Sequence, residues 1–313
     1  MPINIDITPI QMLNMRINEN NIFIKRDDLI PYSFGGNKVR KAKIFFEELE
    51  HQKSNCVVTY GSSSSNHCRV IANLAASIGL KCVIISPVET KKLSFNSQMI
   101  ELFGAEIKNC KVSEVKSIID KELERLTKEG FKPFFIEGGG HGNLGTKAYF
   151  EVYAEIRTYE IEKGIKFDYI FHTSGTGTTQ AGLICGMLIN NDNRKIIGIS
   201  NARKNPYGSQ VVLDSVNSFL EHKGKENVGI EAINFIDNYV IDGYGTYNKE
   251  ILEIIKEVFT KEGIPLDAIY TGKGFWGMKE YINKNNITQK NILFIHTGGI
   301  PLFFDHLGVL VNE

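Results

Sequence analysis

The sequence predicts an α/β protein in which mostly parallel sheets are covered by helices. Short apolar segments rich in β-branched residues alternate with longer amphipathic segments along the chain. The apolar segments end in Gly, Ser or Thr, which is typical of strands buried on both faces of a parallel sheet. No linker rich in Pro or Ser divides the 313 residues, so the length indicates one or two closely associated domains.

The order of the segments predicts where ligands bind. The predicted strands are residues 56–60, 82–86, 105–108, 133–137, 168–173, 195–200 and 292–296. The predicted helices are residues 37–51, 66–78, 95–103, 113–129, 143–163, 178–190, 247–263 and 275–285. Clusters of Gly, Ser and Thr follow four of the strands, at 61–66, 138–142, 174–179 and 297–299. Ligands bind beyond the carboxyl ends of parallel strands, so these clusters are predicted to surround a site.

Composition excludes several classes of function. Lys plus Arg equals Asp plus Glu at 36 each, so no net charge attracts nucleic acid or an anionic membrane. The five cysteines are odd in number and lack CxxC spacing, which argues against a disulfide framework and a metal site. The N-terminus lacks the pattern of a signal peptide, and no apolar stretch is long enough to span a membrane. We therefore expect a cytoplasmic protein.

The first candidate for chemistry is Lys38, within SFGGNKVRK at residues 33–41. The two glycines permit close backbone approach, and a helix is predicted to follow them. A lysine at a helix start is disfavoured as a cation by the helix dipole, which makes it a better nucleophilic amine. The alternative is a solvated surface lysine among its basic neighbours.

Two further segments are predicted to bind anions. YGSSSSNH at residues 60–67 places hydroxyls and free N–H groups at a helix start, which suits a substrate carboxylate. Simple capping by Ser64 or Ser65 is the alternative. TSGTGTTQAG at residues 173–182 is typical of a phosphate cradle. Gln180 stands where a dinucleotide fingerprint needs Gly, and no Gly-Lys-Ser/Thr follows, so neither nucleotide motif is complete. A turn without a ligand is the alternative.

Three segments in the last quarter complete the pattern. DGYGTYN at residues 242–248 and AIYTGK at residues 268–273 each place a Tyr beside a flexible turn. Such a Tyr can transfer a proton or stack on a ring, or can simply pack in the core. FIHTGG at residues 294–299 is a strand that ends in a Gly-rich turn.

Six motifs occur in order between residues 35 and 299: GGNKVRK, SSNHCR, GTGTTQAG, DGYG, YTGK and HTGG. Together they resemble the fold-type-II enzymes that use pyridoxal 5'-phosphate (PLP), most closely the branch of D-cysteine desulfhydrase and 1-aminocyclopropane-1-carboxylate (ACC) deaminase. The resemblance implies two open, twisted, mostly parallel sheets flanked by helices, in two domains. Residues 1–40 and 148–313 would form the larger domain and 41–147 the smaller one inserted in it. It also implies a homodimer.

The resemblance assigns roles to individual residues. Lys38 would carry PLP as a Schiff base, and Asn66 would bond the ring hydroxyl. Thr271 would lie at the pyridine nitrogen. The segment that would hold the phosphate comprises Gly175, Thr176, Gly177, Thr178 and Thr179. The substrate carboxylate would meet Ser65, Asn66 and His67, and catalysis would fall to Lys38, Ser65, Tyr244 and Tyr270.

Thr271 bears on the reaction, because ACC deaminases are expected to carry Glu there. A neutral hydroxyl favours expulsion of a β-leaving group, which indicates conversion of D-cysteine to pyruvate, hydrogen sulfide and ammonia. ACC deamination, β-replacement, racemisation and a non-catalytic binding protein for PLP or an amino acid are the alternatives. GGGHGNLG at residues 138–145, with His141 and Asn143, and the serines Ser62–Ser64 depart from the D-cysteine desulfhydrase pattern. These departures leave the substrate open.

Overall fold

The computed structural model describes residues 4–88 and 94–312, in which ten strands form two sheets flanked by ten α-helices. The strands are β1 Ile10–Ile17, β2 Asn20–Arg26, β3 Cys56–Tyr60, β4 Lys81–Pro87, β5 Glu106–Cys110, β6 Pro133–Ile136, β7 Tyr169–Ser174, β8 Lys195–Ser200, β9 Asn234–Ile236 and β10 Asn291–His296. The helices are α1 Asn37–His51, α2 Asn66–Ser77, α3 Phe95–Leu102, α4 Val115–Lys128, α5 Asn143–Lys163, α6 Thr178–Ile189, α7 Tyr207–His222, α8 Lys249–Glu262, α9 Thr271–Lys284 and α10 Ile300–Asn312.

The two sheets confirm the predicted fold class. The larger sheet has the order β1-β2-β10-β7-β8-β9, and only its β1–β2 pair is antiparallel among the described residues. The smaller sheet, β5-β4-β3-β6, is parallel throughout. Its strands all lie between residues 56 and 136, inside the segment predicted to form an inserted domain. The domain boundaries themselves stay a prediction, and their residues 1–3, 89–93 and 313 lie outside the described part.

All seven predicted strands are present, but the hairpin β1–β2, strand β9 and helices α7 and α10 were missed. The hairpin escaped prediction because its strands carry many polar residues. Lys25 in β2 is fully buried, and its ammonium donates to the carboxylate of Glu155 at 2.7 Å. Pairing with β10 and this ion pair, both distant in sequence, make the segment a strand.

Apolar clusters on both faces of the larger sheet form the core. Phe171 in β7 packs on one face with Phe275 of α9, and Ile170 packs on the other with Ile184 of α6. All four side chains are fully buried. The five cysteines are unpaired and buried. No helix in the described residues is both long enough and apolar enough to cross a membrane.

A buried charge network fixes helix α1 on the larger sheet. Arg40 donates to Asp27 at 2.8 Å and to Glu155 at 2.6 Å and 3.0 Å. Tyr149 donates to the second oxygen of Asp27 at 2.7 Å. Arg40 and Tyr149 offset desolvation and hold the pKa of the Asp27 carboxyl below its ordinary value. Because buried charges are tolerated only in such networks, the start of α1 has a defined position.

Candidate active site

A cavity of about 530 Å³ is lined by residues from both halves of the chain. All four Gly-, Ser- and Thr-rich segments contribute to its wall, as the sequence predicted. Ten of the predicted site residues line it: Lys38, Ser65, Asn66, His67, Gly175, Thr176, Gly177, Thr179, Tyr244 and Tyr270. Thr178 and Thr271 do not line it; both are fully buried behind the wall.

The amine of Lys38 enters this cavity from the first turn of α1. Its Nζ donates to the carbonyl of Gly139 at 2.9 Å, and none of the ion pairs among the described residues includes it. Desolvation lowers the pKa of Lys38 to about 8. Gly36, at φ 95°, precedes the helix, and a Cβ there would lie 2.5 Å from the carbonyl oxygen of Thr297. The Gly-Gly pair is therefore required for the close contact that places Lys38.

The start of α6 forms an anion cradle next to this amine. No side chain caps the helix at Gly177, so the N–H groups of its first turn remain available. Asn37 donates to the hydroxyl of Thr179 at 3.1 Å, which ties the cradle to α1. The hydroxyl of Ser174 and the amide oxygen of Asn201 are buried without a hydrogen-bond partner. The uncapped N–H donors and the Ser174 hydroxyl, which can also donate, fit a bound phosphate, whereas the Asn201 oxygen can only accept.

Lys41 is a second buried amine beneath the cradle, and its role was missed from the sequence. Its Nζ donates to Thr178 Oγ1 at 2.7 Å and lies 3.5 Å from the carbonyl of Gly139. No carboxylate pairs with it in the described residues, and burial together with Lys38 lowers its pKa far below the ordinary value. The three-residue spacing of the lysines on one helix face was the available signal. Two unpaired amines favour an anion between them.

The start of α2 presents a fixed amide to the cavity. Ser65 caps the helix by accepting from the N–H of Cys68 at 3.3 Å, so its hydroxyl is partly committed to the fold. Fully buried Asn96 donates to Asn66 Oδ1 at 2.9 Å and to the carbonyl of Ser64 at 2.7 Å. Because its oxygen is occupied, Asn66 keeps its Nδ2 as a donor. Asn96 lies on another helix, α3, and no motif in the sequence indicated its role.

His67 is buried as a neutral imidazole. Its Nε2 lies 2.8 Å from Thr59 Oγ1, and that hydroxyl donates to the carbonyl of Ile136 at 2.7 Å. Thr59 must therefore accept from the Nε2–H of His67. Burial, together with Lys38 and Lys41, lowers the pKa of His67 far below its ordinary value. His67 adds no positive charge for a substrate carboxylate, whose other partners would be the N–H groups of α2.

Tyr244 and Tyr270 form a hydroxyl pair on the cavity wall. Their hydroxyl oxygens are 2.6 Å apart, and their rings meet edge to face with centroids 6.1 Å apart. Burial, followed by the contact with Tyr244, raises the pKa of Tyr270 far above its ordinary value. Tyr270 therefore keeps its proton at neutral pH, and the paired hydroxyls can donate and accept hydrogen bonds in the cavity.

Asp267 organises the turn that carries Tyr270 and was not identified from the sequence. Its Oδ1 accepts from the N–H groups of Ile269 and Tyr270, at 3.0 Å and 2.7 Å. Its Oδ2 accepts from the N–H and hydroxyl of Thr271, at 3.1 Å and 2.7 Å. Burial raises the pKa of Asp267, although these four bonds oppose the rise. Capping by Asp267 explains why α9 begins at Thr271 rather than at residue 275.

A polar group lines the mouth of the cavity. It includes Glu137, His141, Arg203 and Tyr207, and Arg203 lies over the ring of Tyr207 at 5.4 Å. Nη1 of Arg203 is buried without a partner. Burial lowers the pKa of His141. His141 therefore reaches the cavity as its motif suggested, and Arg203 was missed.

Asn143, the other departure from the family pattern, does not line the cavity. Its side chain instead accepts from Ser218 Oγ at 3.0 Å on the exposed side of α5. Only one of these two departures therefore bears on the pocket.

The chain is similar to known proteins over nearly its whole length. The profile of the pyridoxal-phosphate dependent enzyme family matches residues 3–298. A protein of Pyrococcus abyssi, provisionally named 1-aminocyclopropane-1-carboxylate deaminase, is 33% identical over 305 residues, which are 96% of this chain and 91% of the relative. A crystal structure described as an ACC deaminase homologue has a TM-score of 0.90 at 32% identity. It covers 100% of this chain and 95% of its own.

A more distant structure shares the fold alone. It is a hydrogen sulfide-producing enzyme of Fusobacterium nucleatum, 22% identical, with a TM-score of 0.64. The alignment covers 93% of this chain and 94% of that one. At this identity the likeness supports the architecture and leaves the reaction to the residues of the cavity.

Proposed function

Because the chain belongs to the family of pyridoxal-phosphate dependent enzymes, we propose that it catalyses α,β-elimination from a small amino acid, with D-cysteine as the first candidate. The products would be pyruvate, hydrogen sulfide and ammonia. One observation carries the proposal: the amine of Lys38 and the uncapped start of α6 face one cavity. A nucleophilic amine and a phosphate cradle are what a covalently held, phosphorylated aldehyde requires.

The polar atoms around the cavity fit PLP. The N–H groups at the start of α6 and the buried amine of Lys41, which can donate hydrogen bonds, suit its phosphate, and the Nδ2 of Asn66 suits its ring oxygen. Lys38 is the amine to which it would be attached. When bound, PLP supplies an electron sink that stabilises negative charge at the α-carbon of an amino acid.

The side chains then have separable tasks in the elimination. The N–H groups at the start of α2 bind and orient the substrate carboxylate. The free amine of Lys38 would take the α-proton of the bound substrate, and its pKa of about 8 suits a general base near neutral pH. Tyr270 keeps its proton and donates a hydrogen bond to the departing sulfur while it accepts one from Tyr244, and the sulfur takes its proton from solvent.

ACC deamination is the second candidate, and Asp267 favours it. The proton of the Thr271 hydroxyl is committed to Asp267 Oδ2, and its oxygen already accepts from the N–H of Asp267 at 2.9 Å, so the oxygen can only accept one further hydrogen bond. If the pyridine nitrogen lies there, this acceptor suits a protonated ring, which is the stronger electron sink. Thr271 therefore favours elimination less strongly than its neutral side chain alone indicates.

Product analysis separates the two candidates. Purified protein with PLP is incubated with D-cysteine, L-cysteine or ACC, and pyruvate, sulfide and 2-oxobutyrate are measured. Pyruvate and sulfide in equal amounts from D-cysteine support elimination, while 2-oxobutyrate from ACC supports deamination. Lys38→Ala is the matched control and should form neither product. Product formation at the wild-type rate by that variant would overturn both candidates.

The number of subunits and the cellular location are expectations that do not rest on the structure. A homodimer is expected from the resemblance to the family, and a cytoplasmic location from the sequence. Light scattering coupled to size-exclusion chromatography tests the first expectation, since one chain has a mass of 35.2 kDa. A mass near that of a single chain would refute it.

A further inference from the structure

The ammonium group of Lys273 lies in a cage of three backbone carbonyl groups. Its Nζ is 3.1 Å from the oxygen of Val240, 3.3 Å from that of Asn201 and 3.4 Å from that of Gly243. The side chain is 0% exposed, and no ion pair in residues 4–88 or 94–312 includes it. Two of the three separations exceed the usual N–H···O range of about 2.7–3.2 Å. The arrangement is that of a cation held among carbonyl dipoles.

A lysine is costly at this position. Lys273 lies in the first turn of α9, where the helix dipole disfavours a positive charge. Burying an ammonium without a carboxylate partner also costs free energy. Desolvation lowers its pKa to about 8, although nearby Asp267 opposes the shift. An apolar side chain would fill the space without these costs, so filling space does not explain the lysine.

The cage connects the two loops that flank the cavity. Asn201 follows β8 and lines the cavity, while Val240 and Gly243 belong to the loop that carries Tyr244. Ile241, inside that loop, has φ 62°, a conformation that costs free energy for a β-branched residue. Three converging carbonyl oxygens would repel each other without a cation. The ammonium therefore links this loop to the turn after β8, in addition to the hydrogen bond that Thr246 Oγ1 donates to the carbonyl of Gly243 at 2.8 Å within the loop.

We propose that Lys273 serves as a built-in monovalent cation, a positioning residue that holds loop 240–245 so that Tyr244 stays in contact with Tyr270. The inference rests on the proposed function only in giving Tyr244 a role in the reaction. If a substitution removes the ammonium, the cage should bind a small monovalent cation, because carbonyl oxygens readily replace the water around potassium. Wild-type protein should have no such requirement.

Thermal unfolding of the PLP-loaded protein tests the cage without reference to any reaction. Lys273→Met removes the charge and keeps an unbranched side chain, and Lys279→Met is the same change at an exposed site on the same helix. Midpoints are compared at equal ionic strength in potassium, ammonium or tetramethylammonium chloride, the last being too large for the cage. Lys273→Met should recover stability in potassium or ammonium only. Wild type and Lys279→Met should be equally stable in all three salts.

Activity reports whether the cage acts through Tyr244. In tetramethylammonium chloride, Lys273→Met should lose roughly 10- to 100-fold in kcat, equivalent to one charge-assisted hydrogen bond. Potassium or ammonium should restore most of it. In a Tyr244→Phe background the same change should cost much less, because the two residues act in one path.

The results separate a failure of the carbonyl cage from a failure of the proposed enzymatic function. If Lys273→Met does not fold, Lys273→Gln replaces it; its amide donates to part of the cage, so the same recovery in potassium or ammonium is expected with a smaller amplitude. An unfolding midpoint of the substituted protein that is the same in all three salts would overturn the cage. A midpoint that responds to potassium in a protein inactive toward D-cysteine and ACC would support the cage and count against the proposed function.

Discussion

Replacement of Asp267 by Asn should be among the most destabilising single-atom changes in this protein. The carboxylate is 1% exposed and accepts four hydrogen bonds, two on each oxygen. An amide keeps one oxygen, so two bonds are lost and an NH₂ group faces two donors. Hydrogen bonds to a charged group contribute about 1.5–3 kcal/mol each, so the free energy of unfolding should fall by at least about 3 kcal/mol.

Chemical denaturation followed by fluorescence and circular dichroism measures this loss. Asp305→Asn is the matched control, since its oxygen accepts the exposed N–H of Phe95 at 2.9 Å at the start of α3. That variant should lose about 1 kcal/mol or less. If Asp267→Asn unfolds within about 0.5 kcal/mol of wild type, the role assigned to the carboxylate in the turn of Tyr270 is wrong.

Three other perturbations have defined outcomes. Asn96→Ala removes the donor to Asn66 Oδ1 and Ser64 O; PLP affinity, measured by equilibrium dialysis, should fall about tenfold, and unchanged affinity would contradict the fixed amide. Arg40→Met leaves the buried carboxylate of Asp27 without its ion-pair partner, although Glu155 keeps Lys25, and should cost about 3–5 kcal/mol of unfolding free energy, whereas Lys43→Met on the same helix should cost little. Capture of PLP by the stripped protein should accelerate as pH rises through about 8, because the pKa of Lys38 is lowered to about 8 and only the neutral amine reacts; a rate still rising steeply toward pH 10.5 would refute the lowered pKa.

Short sequence patterns were sufficient to predict the strands and helices whose own residues determine their conformation. The strands β3, β4, β7, β8 and β10 are apolar and β-branched, and they lie where the sequence placed them. Helix α1 begins at Asn37 and ends at His51, as predicted, because the Gly-Gly pair before it is a strong local signal. The hairpin β1–β2 has no such signal, since its strand character comes from pairing with the chain's far end.

The cavity wall was predictable in outline because each motif follows a strand end. The residues that position the side chains of this wall could not be predicted. Lys41, Asn96 and Lys273 act through contacts with segments distant in sequence, whereas Asp267 acts within its own turn, and each reads locally as an ordinary polar residue. Thr271 shows the difference clearly: its identity was visible in the sequence, but the direction of its hydroxyl proton was not.

The central claim is that PLP is held on Lys38, and covalent trapping tests it most directly. The PLP-loaded protein is reduced with borohydride, digested, and the modified lysine is identified by peptide mass. Lys41, three residues further along the same buried helix face, is the internal alternative. We expect the reduced PLP adduct on Lys38 in the wild-type protein and no stable adduct in Lys38→Ala. Modification of Lys41, or of no residue in the cavity, would contradict it.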